Sequence, residues 1–207
     1  MTSSRRATYL VMVACLVACT SHAARRPATS ADLRHVDLKD ITVPGAACLQ
    51  PRELRIRNGM LKIPDSRGNP DQPGGVAHLN LGEWAPTTFG QLEGRGASDA
   101  AVPLQCDNNG GTADGQLLFS IAVVSGKGGS RHVLGLITPR VQLATEHATL
   151  IGGEGVRWQA DRLLVEETYY GALDGTCCAS GRAVTTWAYR AGRLTVLGTD
   201  VLRRPRG

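Results

Sequence analysis

Glu53-Leu54-Arg55-Ile56-Arg57-Asn58-Gly59-Met60-Leu61-Lys62-Ile63 decides how the rest of this chain is read. Apolar and charged residues alternate up to Arg57, and the alternation resumes from Met60 to Ile63. A period of two places the apolar side chains on one face of an extended strand. Asn58-Gly59 stands between the two runs. Both positions of a tight hairpin turn require positive φ, which Asn and Gly tolerate best. The stretch therefore predicts an antiparallel hairpin.

Similar signals recur along the chain. Gln116 to Val124 is strand-like, Ser125-Gly126-Lys127-Gly128-Gly129-Ser130 is a turn, and His132 to Thr138 returns. Leu163 to Tyr170, Arg182 to Tyr189 and Leu194 to Leu197 read as further strands, the last two joined through Arg190-Ala191-Gly192-Arg193. Pro64 to Gly75 carries three prolines and no hydrophobic pattern, which predicts a loop. The one helix expected is a short one near Leu33 to Leu38. With 25 glycines and 4% aromatic residues, the core is expected to be Val, Leu, Ile and Ala between many turns. The expected fold is mainly β: an antiparallel, hairpin-rich meander, barrel-like or sandwich-like.

The 207 residues suffice for one domain with a real core plus a tail. The formal charge of +5 falls to +3 without Arg5 and Arg6, too mild an excess to point to nucleic acid. Arg203, Arg204 and Arg206 make residues 203–207 a basic tail, read as a solvated end.

The first 18 residues read as an export signal. Arg5-Arg6 precede an apolar run from Ala7 to Ala18, 12 residues long, whereas a helix crossing the hydrocarbon needs about 20. Leu16-Val17-Ala18-Cys19 resembles the lipobox of bacterial lipoproteins. In that family the cysteine receives a diacylglyceryl group and the peptide bond before it is cut. The resemblance thus implies that Cys19 becomes the acylated N-terminus of an extracytoplasmic, membrane-anchored protein. Two acyl chains hold stably where one holds marginally, each buried methylene contributing about 0.8 kcal/mol. An ordinary secretory signal ending in a chance cysteine is the rival reading, and the export route (Sec or twin-arginine) stays open. Residues 19–36, small, polar and interrupted by proline, read as a tether, with residues 37–202 as the β-rich domain.

Cys15 leaves with the signal and Cys19 takes lipid, so Cys48, Cys106, Cys177 and Cys178 remain. An even number in an oxidising compartment predicts two disulfides. A bond between adjacent cysteines closes a strained eight-membered ring. The favoured pairing therefore joins Cys48 and Cys106 each to one of Cys177 and Cys178. The alternative is Cys48–Cys106 with a Cys177–Cys178 bridge. No CxxC spacing or nearby histidine supports a metal site, and none is expected.

Phe89 to Val102 is similar to the calcium loops of FG-GAP-type proteins, which lead straight into a strand. Gln91, Glu93, Arg95 and Asp99 occupy the ligand places. Calcium needs several hard oxygens, and here an amide and a guanidinium replace two carboxylates, so the loop is read as having lost its ion. Ser125 to Ser130 lacks the strand-loop-helix context of a phosphate loop, since a second strand follows. No GxSxG nucleophile elbow occurs, and His22, His35, His78, His132 and His147 are scattered. Trp187 and Tyr189 share one face of their strand and, with Tyr169 and Tyr170, are candidates for ligand contact; an edge of the core is the plainer reading.

Tyr170-Gly171-Ala172-Leu173-Asp174-Gly175-Thr176-Cys177-Cys178-Ala179-Ser180-Gly181, followed by Thr185 to Arg190, resembles a motif of actinobacterial envelope lipoproteins of the LppP/LprE type. There a D-x-x-C-C-P-S turn leads into a strand carrying an aromatic residue. Ala179 stands where proline is usual. Cys106-Asp107-Asn108-Asn109-Gly110-Gly111-Thr112 resembles their Cys-then-Asn/Gly-rich turn. The resemblance implies an exported, disulfide-stapled domain of uncharacterised function and supplies no catalytic residues. The expected function is non-catalytic, in binding or envelope assembly, without a cofactor. The expected partners are the bilayer through Cys19 and an envelope glycan or protein. The alternatives are an envelope hydrolase using convergent polar residues and a lipid-tethered accessory or inhibitor subunit.

Overall fold

The computed structural model describes residues 30–64, 73–79, 86–94, 98–107, 118–141, 150–175 and 178–204. The strands are β1 (Ile41–Val43), β2 (Leu54–Ile56), β3 (Met60–Pro64), β4 (Pro73–Leu79), β5 (Thr88–Gly90), β6 (Asp99–Asp107), β7 (Leu118–Ser125), β8 (His132–Ile137), β9 (Leu150–Gln159), β10 (Arg162–Tyr169), β11 (Gly181–Arg190) and β12 (Arg193–Arg203). They form three antiparallel sheets: β1-β2, a central β3-β4-β6-β7-β8 with β5 paired to β6, and a C-terminal β12-β11-β10-β9 meander. The sheets do not close into a barrel; stacking is the sandwich-like alternative. No helix among the described residues is long and apolar enough to cross a membrane.

The predicted hairpin is present. Arg57 and Met60 exchange backbone hydrogen bonds of 3.2 and 3.0 Å across Asn58 (φ 49°) and Gly59 (φ 79°). Leu54 and Ile56 are buried while Arg55 is exposed. The turn joining β11 to β12 uses the same backbone device, with Ala191 at φ 49° and Gly192 at φ 80°.

The central sheet has a core on each face. Ala100, Val102, Leu104, Ala122 and Val124 pack with Leu33, Leu38, Ile41, Val43, Leu54 and Ile56 of the N-terminal region. Ala101, Ile121 and Val123 pack instead with Leu163, Val165 and Trp187 of the C-terminal sheet. Burial on both faces removes the polar half of the alternation, as in any strand covered twice. That is why Ile121 to Val124 is continuously apolar.

Several elements differ from the sequence reading. Pro103 lies within the nine-residue β6, although proline normally argues against an interior strand. Along one edge of β6, residues 99–101 pair with β5 and residues 104–107 with β4. Pro103 falls in the gap between them. β4 begins at Pro73, inside the predicted loop, of which residues 65–72 lie outside the described set. β12 runs to Arg203 instead of stopping at Leu197, because pairing with β11 continues through two bulges. The expected short helix is a single 3₁₀ turn, Leu33–His35, started by the Asp32 carboxylate accepting from Arg34 N at 3.1 Å. Leu33 is fully buried and Ala31 N donates to Gly126 O at 2.9 Å, so the folded unit takes hold before residue 37.

The favoured disulfide pairing is overturned. Cys48 is bonded to Cys106, with Cα atoms 5.4 Å apart, inside the range a bridge needs. The cause is the 3₁₀ turn Gly45–Cys48, which joins the same core as Cys106 and sets Ala47 beside it. Cys178 is also disulfide-bonded, to a partner outside the described residues.

Candidate functional site

Turns from both large sheets meet at one end of the molecule around a shallow cleft of about 390 Å³. Leu92-Glu93-Gly94, just after β5, form one wall, and Lys127, in the β7–β8 turn, stands beside them. Asp161, between β9 and β10, and Tyr189 to Gly192, at the β11–β12 turn, complete it.

The first wall belongs to the FG-GAP-like loop, of which residues 95–97 are not described. Asp99 is fully buried, and its Oδ2 accepts from Leu92 N at 2.6 Å and Glu93 N at 3.3 Å. Glu93 Oε2 accepts from Ser125 Oγ at 2.5 Å, and its Oε1 lies 3.5 Å from Lys127 Nζ. Both carboxylates thus hold protein groups: Asp99 closes the turn on its own amides, and Lys127 supplies a positive charge next to Glu93. On the opposite wall Arg190 binds Asp161, and this hydrogen bond, first among its causes, holds the Asp161 carboxyl below its usual range.

The cleft therefore presents the half-buried Tyr189 between two compensated ion pairs. Among the described residues its lining offers hydrogen-bonding groups and a ring face and holds no serine, cysteine or histidine. Such an arrangement suits holding a polar ligand.

Of the four aromatic candidates, Tyr189 alone lines this cleft. Trp187 does share its face, but that face turns inward: Trp187 is buried in the core between the sheets, and Tyr189 packs on the same cluster. Tyr169 is buried, and its hydroxyl donates to Arg203 O at 3.2 Å. Tyr170 is half-buried on the loop after β10, where burial and then the charge of Asp174 push its phenol above the ordinary value. That loop carries the D-x-x-C-C-x-S motif. Asp174 Oδ2 accepts from Gly171 N, Ser180 N and Ser180 Oγ at 2.8, 2.8 and 2.9 Å, so the motif's first and last residues bind each other. Cys19 and Cys177 lie outside the described residues. Among the histidines, His35 lies 3.8 Å from Asp32, His132 is exposed and His78 sits on β4.

The sequence reading missed a buried carboxylate. Glu167 is 1% exposed; its Oε2 accepts from Arg140 N at 2.5 Å and Val141 N at 3.0 Å. Its Oε1 accepts from Thr185 Oγ1 at 2.6 Å, and Thr185 in turn reaches Thr199 at 3.1 Å. This ties the segment after β8 to the C-terminal sheet. The signal was present: Leu163, Val165, Glu167 and Tyr169 share the inward face of one alternating strand, with a charge in an apolar row.

Compared with known proteins, the chain matches no family model, no curated protein and no solved structure.

Proposed function

We propose that this chain is a lipid-anchored extracytoplasmic binding protein. Cys19 carries the acyl group, the residues after it form a tether, and the β-rich domain offers the Tyr189 cleft to a polar envelope ligand, a glycan or a peptide. The observation that carries this reading is Leu16-Val17-Ala18-Cys19 behind a 12-residue apolar run. The Cys48–Cys106 bond supports it, because structural disulfides persist in oxidising compartments. The resemblance of the Asp174 to Ser180 turn to LppP/LprE-type envelope lipoproteins supports the same address. The composition of the cleft favours binding over chemistry.

Mass spectrometry of the native protein tests the anchor. A diacylated peptide beginning at Cys19 is expected, together with loss of membrane attachment or of processing in Cys19→Ser. An intact Met1 without a fatty modification would refute the reading. For the cleft, Tyr189→Ala should weaken retention on a panel of envelope glycans and peptides without changing the fold.

A further inference from the structure

Among the described residues the eleven-residue β12 is the outer strand of the C-terminal sheet and pairs with β11 alone. A free strand edge presents a row of unpaired backbone N–H and C=O groups, and proteins usually blunt it with short strands, lysine, proline or bulges. β12 is long and contains neither lysine nor proline. Its two bulges carry leucines, Leu197 and Leu202, which are 47% and 59% exposed, and Val201 between them is 50% exposed.

The bulge at Leu197 also has a consequence for charge. Arg193 lies opposite Arg190 and Asp200 opposite Val184, each an odd number of residues from the inward-facing Trp187 and Thr185. Both therefore point outward. Without the extra residue, positions 193 and 200 would fall on opposite faces of the strand. Among the described residues neither side chain has an ion-pair partner.

We infer that β12 pairs antiparallel with β12 of a second copy of this chain, about a two-fold axis between Val196 and Leu197. Arg193 of each copy then stands opposite Asp200 of the other, Leu194 opposite Thr199, Thr195 opposite Gly198, and Val196 opposite Leu197. Residues directly opposed in an antiparallel pair share a face. The register satisfies this, since Leu194 and Thr199 both face inward and Arg193 and Asp200 both face outward. The strand is self-complementary when reversed, which is what a two-fold interface requires. Val201 and Leu202 come to lie beside Ala191 and Gly192 of the other copy, where Gly192 leaves open space.

Sedimentation of the full-length protein in detergent tests this. A concentration-dependent dimer is expected. Asp200→Arg alone and Arg193→Asp alone should each weaken it about tenfold or more, because opposed charges become like charges twice per dimer. The double variant should restore it, with circular dichroism confirming that all three variants fold. A monomer at every concentration reached, a dimer indifferent to both single reversals, or a double variant that stays dissociated would each overturn the inference.

Discussion

Two unlike regions cover the central sheet. On one face lie the three-residue strands β1 and β2 and two 3₁₀ turns; on the other lies a meander of strands eight to eleven residues long. The meander is knit by consecutive hairpins, so each ladder is closed by a short turn at small entropic cost. The N-terminal region has short ladders and long-range packing, and it is here that the Cys48–Cys106 bond is found, 58 residues apart in sequence. A covalent link does most where closure is distant and local pairing is weak. The meander is tied differently, by one buried carboxylate that receives three hydrogen bonds.

This contrast can be broken from either side. Cys48→Ala should cost the most, about 2–5 kcal/mol by denaturant titration. Native-state hydrogen exchange should show residues 31–56 losing protection while β10 and β11 keep theirs; uniform loss would erase the distinction. Glu167→Ala orphans Arg140 N, Val141 N and the Thr185 hydroxyl, and should cost about 2–4 kcal/mol, with faster exchange concentrated after β8. Gly90→Ala probes the contact between the layers. Its Cβ would overlap the Trp158 ring, whose Nε1 donates to Thr88 Oγ1 at 2.9 Å. The strain should cost about 1–3 kcal/mol and shift the tryptophan emission.

The smallest effect belongs to Asp161. Arg190 lowers its folded pKa from 3.8, so its contribution is complete above the unfolded value and disappears as the pH falls through the lowered one. Because the pair is exposed to solvent, Asp161→Asn should leave the unfolding midpoint unmoved at pH 7. A clear drop would mean that the hairpin tips carry more of the meander's stability than its Glu167 network implies.

What could be read from the residues was local. Asn58-Gly59 announces its hairpin because the signal and the structure occupy the same few positions. The Cys48–Cys106 pairing could not be read, since it depends on how a 3₁₀ turn seats against a strand 58 residues away. The extent of β6 could not be read, since its passage through Pro103 depends on the gap between two neighbouring strands. The cleft was legible only in pieces: Glu93, Lys127 and Tyr189 each belonged to a segment worth naming, but their meeting is a product of sheet stacking.

The position of the Cys48–Cys106 link also governs how the domain would bear tension. Were the molecule held from its N-terminal side, a tug would enter near residue 30 and meet the Ala31 to Gly126 bond and the β1–β2 ladder first. Those contacts would peel in succession, releasing slack. At Cys48 the peeling stops, and the load passes through sulfur into β6, in the middle of the widest sheet. The segment ahead of the link would act as a shock absorber.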